Sequence, residues 1–181
     1  MGQLVQTKGR AVAVKVDETP SQYLTFALGG EMFAVGILNV KEIIEYGNLT
    51  EIPMMPAFIR GVINLRGSVV PVIDLSARFG GKSAELGRRT CIVIVEVSDA
   101  DMQHDIGIMV DAVSEVLDIP NSEIEPPPSF GAKIRADFIL GMGKVAGKFV
   151  IILNIDKVLS VDEIAQLTGT EATTNELVVT P

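Results

Sequence analysis

Few side chains in this sequence have the types and spacing that catalysis needs. Cys91 and His104 are the only cysteine and the only histidine, a pair that can form a thiol nucleophile and its base. Nothing places a thiolate-stabilising charge beside Cys91, which suits a small buried hydrophobe, and the acidic surroundings of His104 favour a solvated imidazole. Asp74 has the type of a phosphoacceptor, but its place before a turn favours capping instead. With no GxxxxGK phosphate loop and no HExxH motif, we predict no catalytic activity, no cofactor and no metal site.

Arg66 offers a different chemistry, that of recognition. It lies in the middle of the largely apolar stretch IRGVINLRGSVVPVIDL (59–75), between Arg60 and Asp74 near its ends, and directly precedes Gly67. An arginine that is partly buried there needs a carboxylate partner, because desolvating a guanidinium alone is costly. Two interpretations stay open: Arg66 is a local strut paired across the fold, or it contacts another protein. In either case we predict that Arg66 pairs with Glu42, the acid of the segment VKEI.

Composition limits the partners of the chain. Its net charge is −8, from 15 basic and 23 acidic residues, so phosphate backbones and anionic lipids repel it. Hydrophobic residues make up 48% of the sequence, enough for a sizeable core. No apolar run reaches the roughly 20 residues that a membrane span needs. We therefore expect a soluble cytoplasmic protein that binds no nucleic acid and does not insert into a membrane.

The elements that position these side chains are mostly short strands. QYLTFAL and MFAVGI flank a Gly-Gly turn and predict a hairpin, and four further apolar runs have the length of strands. The capping box SVDE predicts a short helix over about 160–168. Many short strands between Gly, Pro and Asn turns predict an all-β fold. Residues 1–20 are expected to be a flexible lead-in and residues 170–181 a flexible tail.

An internal repeat organises these strands. The segment FIRGVINLRGSVVPVIDLSARF (58–79) matches FILGMGKVAGKFVIILNIDKVL (138–159) without gaps. The matching glycines predict that one backbone turn is made twice, and they are Gly61 with Gly141 and Gly67 with Gly147. A duplicated unit of about five strands predicts two small barrels packed together, the first mainly 21–85 and the second mainly 88–159, with interleaved boundaries.

The repeat also bears on Arg66. The second copy has Ala146 at the same position. If the turn itself required arginine, the second copy would need one as well. The arginine is therefore expected to serve a contact that only the first copy makes.

Four segments carry a family resemblance. YLTFALGGEMFAVGILNVKEII, LTEIPMMPAFIRGVINLRGSVVPVIDLSARFG, IGIMVDAVSEVLDI and FILGMGKVAGKFVIILNIDKVL resemble the CheW family of bacterial chemotaxis coupling proteins. The resemblance covers roughly residues 20–168, and its most specific part combines Gly61, Asn64, Arg66, Gly67, Pro71 and Asp74 at fixed spacing. It implies a CheW-like domain over 21–168, built as two intertwined SH3-like five-stranded β-barrels with a short C-terminal helix. The loop SDADMQHD (98–105) is longer and more acidic than a tight hairpin requires.

The resemblance implies a non-enzymatic adaptor in two-component signalling. One face would bind the cytoplasmic tip of methyl-accepting chemoreceptors, and another the regulatory domain of the CheA histidine kinase, in receptor arrays at the membrane. The receptor-binding residues implied are Val40, Glu42, Ile43, Gly61, Arg66, Val113 and Val116. The kinase-facing surface is expected largely on the second barrel, with its residues unassigned.

The sequence leaves two other interpretations open. A small-ligand or oligonucleotide-binding β-barrel would need surface aromatics with basic neighbours, and the chain has only seven Phe and two Tyr, mostly at core-periodic positions. A fragment of a larger kinase would contain the same domain.

Overall fold

Short strands dominate the fold. The structure, a computed structural model, describes residues 20–127 and 134–160. The strands in these ranges are β1 Pro20–Leu28, β2 Glu31–Gly36, β3 Val40–Glu45, β4 Ile59–Leu65, β5 Ser68–Asp74, β6 Cys91–Asp99, β7 Met102–Val110, β8 Ala112–Pro120, β9 Ile124–Glu125, β10 Ile139–Val145 and β11 Lys148–Leu153. The helices are single turns, α1 Leu75–Arg78 and α2 Ile155–Val158, with 3-10 turns at Ile37–Asn39, Asn121–Glu123 and Ala136–Phe138.

The strands form two sheets with the same internal order. The first unit is the sheet β3-β6-β7-β5-β4, and the second unit is the sheet β8-β1-β2-β11-β10-β9. In each unit one parallel pairing joins two antiparallel hairpins, β5 with β7 in the first and β11 with β2 in the second. This arrangement confirms the prediction of an all-β fold with two intertwined SH3-like units.

The sixth strand of the second unit has a counterpart in the first. β9 pairs with Met142, and an isolated bridge from Thr50 pairs with Val62, the residue that the sequence repeat matches to Met142. The expected number of five strands is therefore met in the first unit and exceeded in the second only by the two residues of β9.

The two units take their strands from both sequence repeats. Residues 21–85 and 88–159 are the two sequence repeats, β1–β5 and β6–β11, but each repeat lends a hairpin to the other unit. The β1–β2 hairpin pairs with β8 and β11, and the β6–β7 hairpin pairs with β3 and β5. A sequence repeat identifies copies of a motif and carries no information about which copies pair.

Three other expectations concern local segments. The expected loop 98–105 is wrong, because β6 and β7 continue through it to a two-residue turn at Ala100 and Asp101. The hairpin of β1 and β2 is confirmed. The lead-in, the tail and the helix over about 160–168 lie outside the described residues, apart from Pro20 and Ser160.

Strands buried on both faces explain the continuous apolar runs. Along β6, Val93 and Val95 face a core shared by the two units, whereas Ile92 and Ile94 face the interior of the first unit. The same alternation on β2 turns Phe33 to the shared core and Ala34 to the interior of the second unit. A strand segment covered on both sides is apolar at consecutive positions, as the run from Ile92 to Val95 is.

The ends of the two repeats meet at Arg78. Its Nε donates to the backbone oxygen of Val158 at 2.8 Å, and Val158 is the residue that the repeat matches to Arg78 itself. The guanidinium lies over the rings of Phe58 and Phe138, another matched pair, with its Cζ 5.3 and 4.9 Å from the ring centroids. Contacts at this junction therefore join equivalent positions of the two copies.

The duplicated turn is confirmed at the second pair of glycines. Gly67 and Gly147 have φ of 88° and 78°, and the residues before them, Arg66 and Ala146, have φ of 52° and 50°. Two consecutive positive φ angles define the hairpin turn that matches the twist of the flanking strands.

The first pair of glycines shares a close approach to a neighbouring strand. Both follow a bulge, and an added Cβ on Gly61 would strike the backbone oxygen of Thr50, while one on Gly141 would lie 2.9 Å from the backbone oxygen of Glu125. Only Gly61 has a positive φ, of 150°, so the two backbones agree in packing and differ in this angle.

Gly61→Ala should lower the free energy of unfolding by about 2–4 kcal/mol, because the methyl group would push the Thr50 backbone away from β4. Gly47→Ala is the matched control, since an added Cβ there meets nothing within 4 Å, and it should change stability by less than about 0.5 kcal/mol. Urea denaturation of both variants measures the difference. Equal stability of the two variants would contradict the packing role of Gly61.

Candidate functional site

Arg66 lies at a backbone position that does not favour it. Its φ of 52° is in the left-handed region, where a side chain is strained and glycine is favoured. The turn is held instead by Asn64, whose Oδ1 accepts a hydrogen bond from the backbone N of Gly67 at 2.8 Å. Ala146 makes the same turn in the second unit. The guanidinium of Arg66 is therefore not required by the turn.

The predicted pairing of Arg66 with Glu42 is confirmed. Nη1 and Nη2 of Arg66 donate to Oε1 and Oε2 of Glu42 at 2.7 and 2.8 Å, a two-point contact between planar groups. The Arg66 side chain is 75% exposed and that of Glu42 is 26% exposed. The pair lies on the surface, so it is available for contact and adds little to the stability of the fold.

The pair changes the acidity of Glu42. The hydrogen bond from Arg66 lowers the pKa of the Glu42 carboxyl, and the positive charges of Arg66 and Lys41 lower it further. Because its pKa is lowered in the folded state, the Glu42 carboxyl is ionised and paired with Arg66 at any pH above its ordinary pKa. The pair is lost as the pH falls through the lowered pKa. The pair is therefore intact at neutral pH.

A second ion pair, which the sequence analysis did not predict, lies beside the first. A bulge in β3 leaves Lys41 unpaired between Val40 and Glu42. The Lys41 Nζ donates to both carboxylate oxygens of Asp105 at 3.1 and 3.2 Å, and Oε2 of Glu96 is 3.7 Å away. The hydrogen bond to Asp105 raises the pKa of Lys41. The one sequence feature that indicates the bulge is the pair of adjacent charges in VKEI. In a regular strand Lys41 and Glu42 would lie on opposite faces of the sheet.

The four charged residues of the two ion pairs line one cavity. We call Lys41, Glu42, Arg66 and Asp105 the ionic cluster, and the cavity of about 290 Å³ the first groove. Its lining residues are Lys41, Glu42, Leu65, Arg66, Ser68, Ile94 and Asp105.

The other predicted receptor-binding residues divide into three kinds. Ile43 on β3 and Val116 on β8 are 43% and 46% exposed, which leaves apolar surface on the outer strand of each unit. Val40 and Val113 are half-buried and pack against the shared core. Gly61 is buried against Thr50 and offers no side chain. Of the seven residues, the structure places only Arg66 and Glu42 in a direct hydrogen-bonded contact.

The second unit has a larger and more apolar cavity. This second groove, of about 660 Å³, contains the exposed ring of Phe149 at its edge, 50% accessible. Its lining includes Thr25, Met32, Ser114, Glu115, Leu117, Met142, Val145, Lys148, Phe149 and Ile151.

The residues considered for catalysis are far apart or otherwise occupied. His104 pairs in register with Val97, six residues along β6 from Cys91, a separation of about 20 Å. The thiol of Cys91 donates to the backbone oxygen of Arg89 at 3.2 Å. Asp74 is buried and caps α1, accepting from the backbone N of Ala77 at 3.3 Å, which confirms its predicted capping role.

In residues 20–127 and 134–160, no three His, Cys, Asp or Glu side chains are grouped so that they could hold a metal ion. Over the same residues, no helix has the length and apolar character to cross a membrane.

Comparison with known proteins identifies the family. The model of the CheW-like domain matches residues 22–163, most of the chain. The chain belongs to the CheW family. The chemotaxis protein CheW of Klebsiella aerogenes is 35% identical over 144 residues, which cover 80% of this chain and 84% of that protein. The CheW of Rhizobium meliloti is 34% identical over 142 residues, covering 78% and 89%.

A solved CheW structure has the same fold. The scaffolding protein TtCheW from Thermoanaerobacter tengcongensis is 37% identical, with a TM-score of 0.69 over 77% of this chain and 87% of that one. The chain is a chemotaxis adaptor of this family.

The pairing of Arg66 with Glu42 should be visible as a shift in acidity. Carboxyl NMR titration of the protein should give Glu42 a pKa below the ordinary value of 4.5, and Arg66→Ala should move it back toward that value. Arg88→Ala, which removes an exposed arginine elsewhere, should leave the Glu42 titration unchanged. An unchanged Glu42 pKa in Arg66→Ala would show that the pair does not form in solution.

Proposed function

We propose that this CheW protein couples the cytoplasmic tip of methyl-accepting chemoreceptors to the regulatory domain of the CheA histidine kinase. In this role it is a cytoplasmic, non-enzymatic adaptor that is recruited to receptor arrays at the membrane. Membership of the CheW family supports the chemotaxis setting. The single observation that carries the receptor contact is the exposed Arg66–Glu42 pair, held at a turn position where arginine has no backbone purpose.

The receptor-facing surface, in this proposal, combines the charged pair with apolar strand residues. Ile43 follows Glu42 on β3 and is 43% exposed, and Val116 holds the matching position on β8. A receptor helix would bury such side chains, which supplies affinity, while the charged pair at the rim supplies specificity. The half-buried Val40 and Val113 support these positions from the shared core.

The kinase-facing surface, in this proposal, is the second groove. Its walls carry flexible thioether and aliphatic side chains, including Met32 and Met142, which adapt to the shape of an inserted group. Glu31, Glu115 and Lys148 provide charges of both signs around them. An apolar pocket with a charged rim is the usual form of a protein-binding surface.

An oligonucleotide-binding function has weaker support. Such a function needs several bases stacked along a basic groove. Phe149 beside Lys148 is one exposed aromatic with a basic neighbour, but Glu31 and Glu115 line the same cavity. The net charge of −8 also opposes a phosphate backbone.

Arg66→Ala should weaken binding of a soluble receptor cytoplasmic fragment roughly 10- to 100-fold, the effect of losing a charge-assisted hydrogen bond. Binding of the kinase regulatory domain should stay within about twofold, because the second groove is untouched. Isothermal titration calorimetry with each purified partner measures both affinities. Glu42→Ala should act in the same direction, and the double variant should lose less than the sum of the two, as expected for residues in contact.

Arg88→Ala is the control for a general loss of positive charge, and it should change neither affinity. Denaturation midpoints should agree among the wild type and the Arg66 and Glu42 variants, because the pair is exposed. Additive effects of Arg66→Ala and Glu42→Ala, or equal losses for both partners, would show that the pair does not form the receptor contact.

A further inference from the structure

A third cavity lies at one end of the second unit, where β1 and β10 begin and β2 and β11 end. We call this cavity, of about 830 Å³, the end groove. Leu38 and Leu140 in its lining are 97% and 59% exposed, so two large apolar side chains are open to solvent beside one cavity. The apolar side chains of the lining are Tyr23, Ile37, Leu38, Leu140, Leu153 and Ile155.

Two acidic side chains line the same groove. Asp118 on β8 pairs in register with Gln22 of β1, and Asp156 lies in α2, three residues after the end of β11. Both are exposed, and within residues 20–127 and 134–160 neither forms an ion pair with a basic side chain. The end groove therefore suits a segment that is both apolar and basic.

A segment of this composition lies shortly before β1 in the chain. RAVAVKV (10–16), which we call the basic segment, contains Arg10, Lys15 and no acidic residue, and it lies outside the described residues. Its three valines occupy alternate positions, which places them on one face of an extended chain. The basic segment thus offers an apolar face and two cations.

The chain connection keeps the basic segment within reach of the end groove. Val16 is five residues from Ser21, which lines the groove, and five extended residues span at most about 16–18 Å. Asp17 lies between them and favours a turn, through which the segment can return toward the groove.

The spacing of the charges agrees with such a contact. From Asp118 on β8, the sheet crosses β1 and β2 to β11, which precedes Asp156, a distance of three strand spacings or about 14 Å. Arg10 and Lys15 are five residues apart, about 16 Å in an extended chain. Lys15 can therefore reach Asp118 while Arg10 reaches Asp156.

The other segments outside the described residues suit the groove less well. Residues 161–181 contain four acidic residues and no basic one, so Asp118 and Asp156 would repel them. Residues 128–133 contain a single cation, Lys133, and the chain holds them at both ends. Charge therefore favours the basic segment as the occupant.

We propose that the basic segment docks in the end groove of the same molecule, with its valines over Leu38 and Leu140 and its two cations at the two aspartates. The docked segment covers apolar surface that the strands leave open, and it orders part of a lead-in that the sequence predicts to be flexible. Leu38 lies two residues before Val40, so the segment borders the proposed receptor-facing surface. The inference does not depend on binding of the receptor or the kinase.

Limited proteolysis of the full chain tests the docking. Trypsin cleaves after Arg10 and Lys15, and a docked segment must leave the groove before it can be cut. The double variant Asp118→Asn with Asp156→Asn keeps both cleavage sites and should be cut about 3- to 10-fold faster than wild type, the effect of losing two exposed ion pairs. Mass spectrometry of the products over time measures the rate at each site.

Two further variants separate the apolar contact from a general effect of charge. Leu38→Ala should also be cut faster, because the valines lose apolar surface to cover, and the exposed Leu38 adds little to the stability of the fold. Asp101→Asn makes the same change at an exposed aspartate outside the lining, and it should be cut at the wild-type rate. Urea denaturation midpoints of all variants should agree with wild type.

A charge exchange identifies the segment. Lys15→Asp should speed cleavage after Arg10, and adding Asp118→Lys should restore the wild-type rate, because the ion pair forms again with its charges exchanged. Cleavage that stays fast in the exchanged variant would show that Lys15 and Asp118 do not meet.

The remaining outcomes each overturn the inference. Equal tryptic rates in wild type, the aspartate double variant and Leu38→Ala would show that the basic segment is not docked. Protection that falls on dilution would mean that the segment binds another copy of the chain, since an intramolecular contact does not depend on concentration. If Leu38→Ala instead speeds cleavage after Glu163 by a glutamate-specific protease and leaves the tryptic sites unchanged, the groove takes residues 161–181, and the proposed occupant is wrong.

Discussion

Each sheet of this protein is completed by a hairpin from the other sequence repeat, and the rest of the structure depends on that exchange. Strands β1 and β2 leave their own repeat to pair with β8 and β11, and β6 and β7 pair with β3 and β5. The exchanged strands are buried on both faces, by the interior of a unit on one side and the shared core on the other. Removing either repeat would expose both faces of a hairpin, so the two units form one cooperative structure.

On this common framework the two copies differ mainly in charge. The turn at Arg66 and Gly67 is made again at Ala146 and Gly147, so the backbone tolerates either side chain before the glycine. What the first copy adds is a guanidinium whose partner lies on the outer strand of the same unit. Duplication supplies two equivalent surfaces, and a few charged side chains on one of them are enough to give the two surfaces different binding properties.

Predictions that rest on local chemistry were more successful than predictions about which strands pair. The glycines of the repeat predicted a turn made twice, and the need of a guanidinium for a carboxylate predicted the contact of Arg66 with Glu42. Asp74 before a turn predicted its capping bonds. These predictions succeed because each depends on a few neighbouring atoms or on one strong interaction.

Features that depend on long-range register could not be predicted from the residues alone, and only the family resemblance implied that the two units are intertwined. The exchange of hairpins could not be read from the repeat, because copies of a strand are equally able to pair within or between repeats. The bulge that brings Lys41 beside Glu42 has only a weak signature in the sequence, the two adjacent charges of VKEI. The hairpin turn at Ala100 and Asp101 was hidden by polar residues that continue on the exposed ends of β6 and β7.

The exchange also sets an order for the growing chain on the ribosome. The strands of the first unit run without interruption from Val40 to Val110, so this unit can close as soon as that stretch has been synthesised. The β1–β2 hairpin is made first, yet its neighbours β8 and β11 are made last. Until they emerge, one face of the oldest strands has no permanent cover, and such exposed apolar strands are the usual substrates of chaperones. The first two strands of the fold to be synthesised are thus among the last to reach their final neighbours.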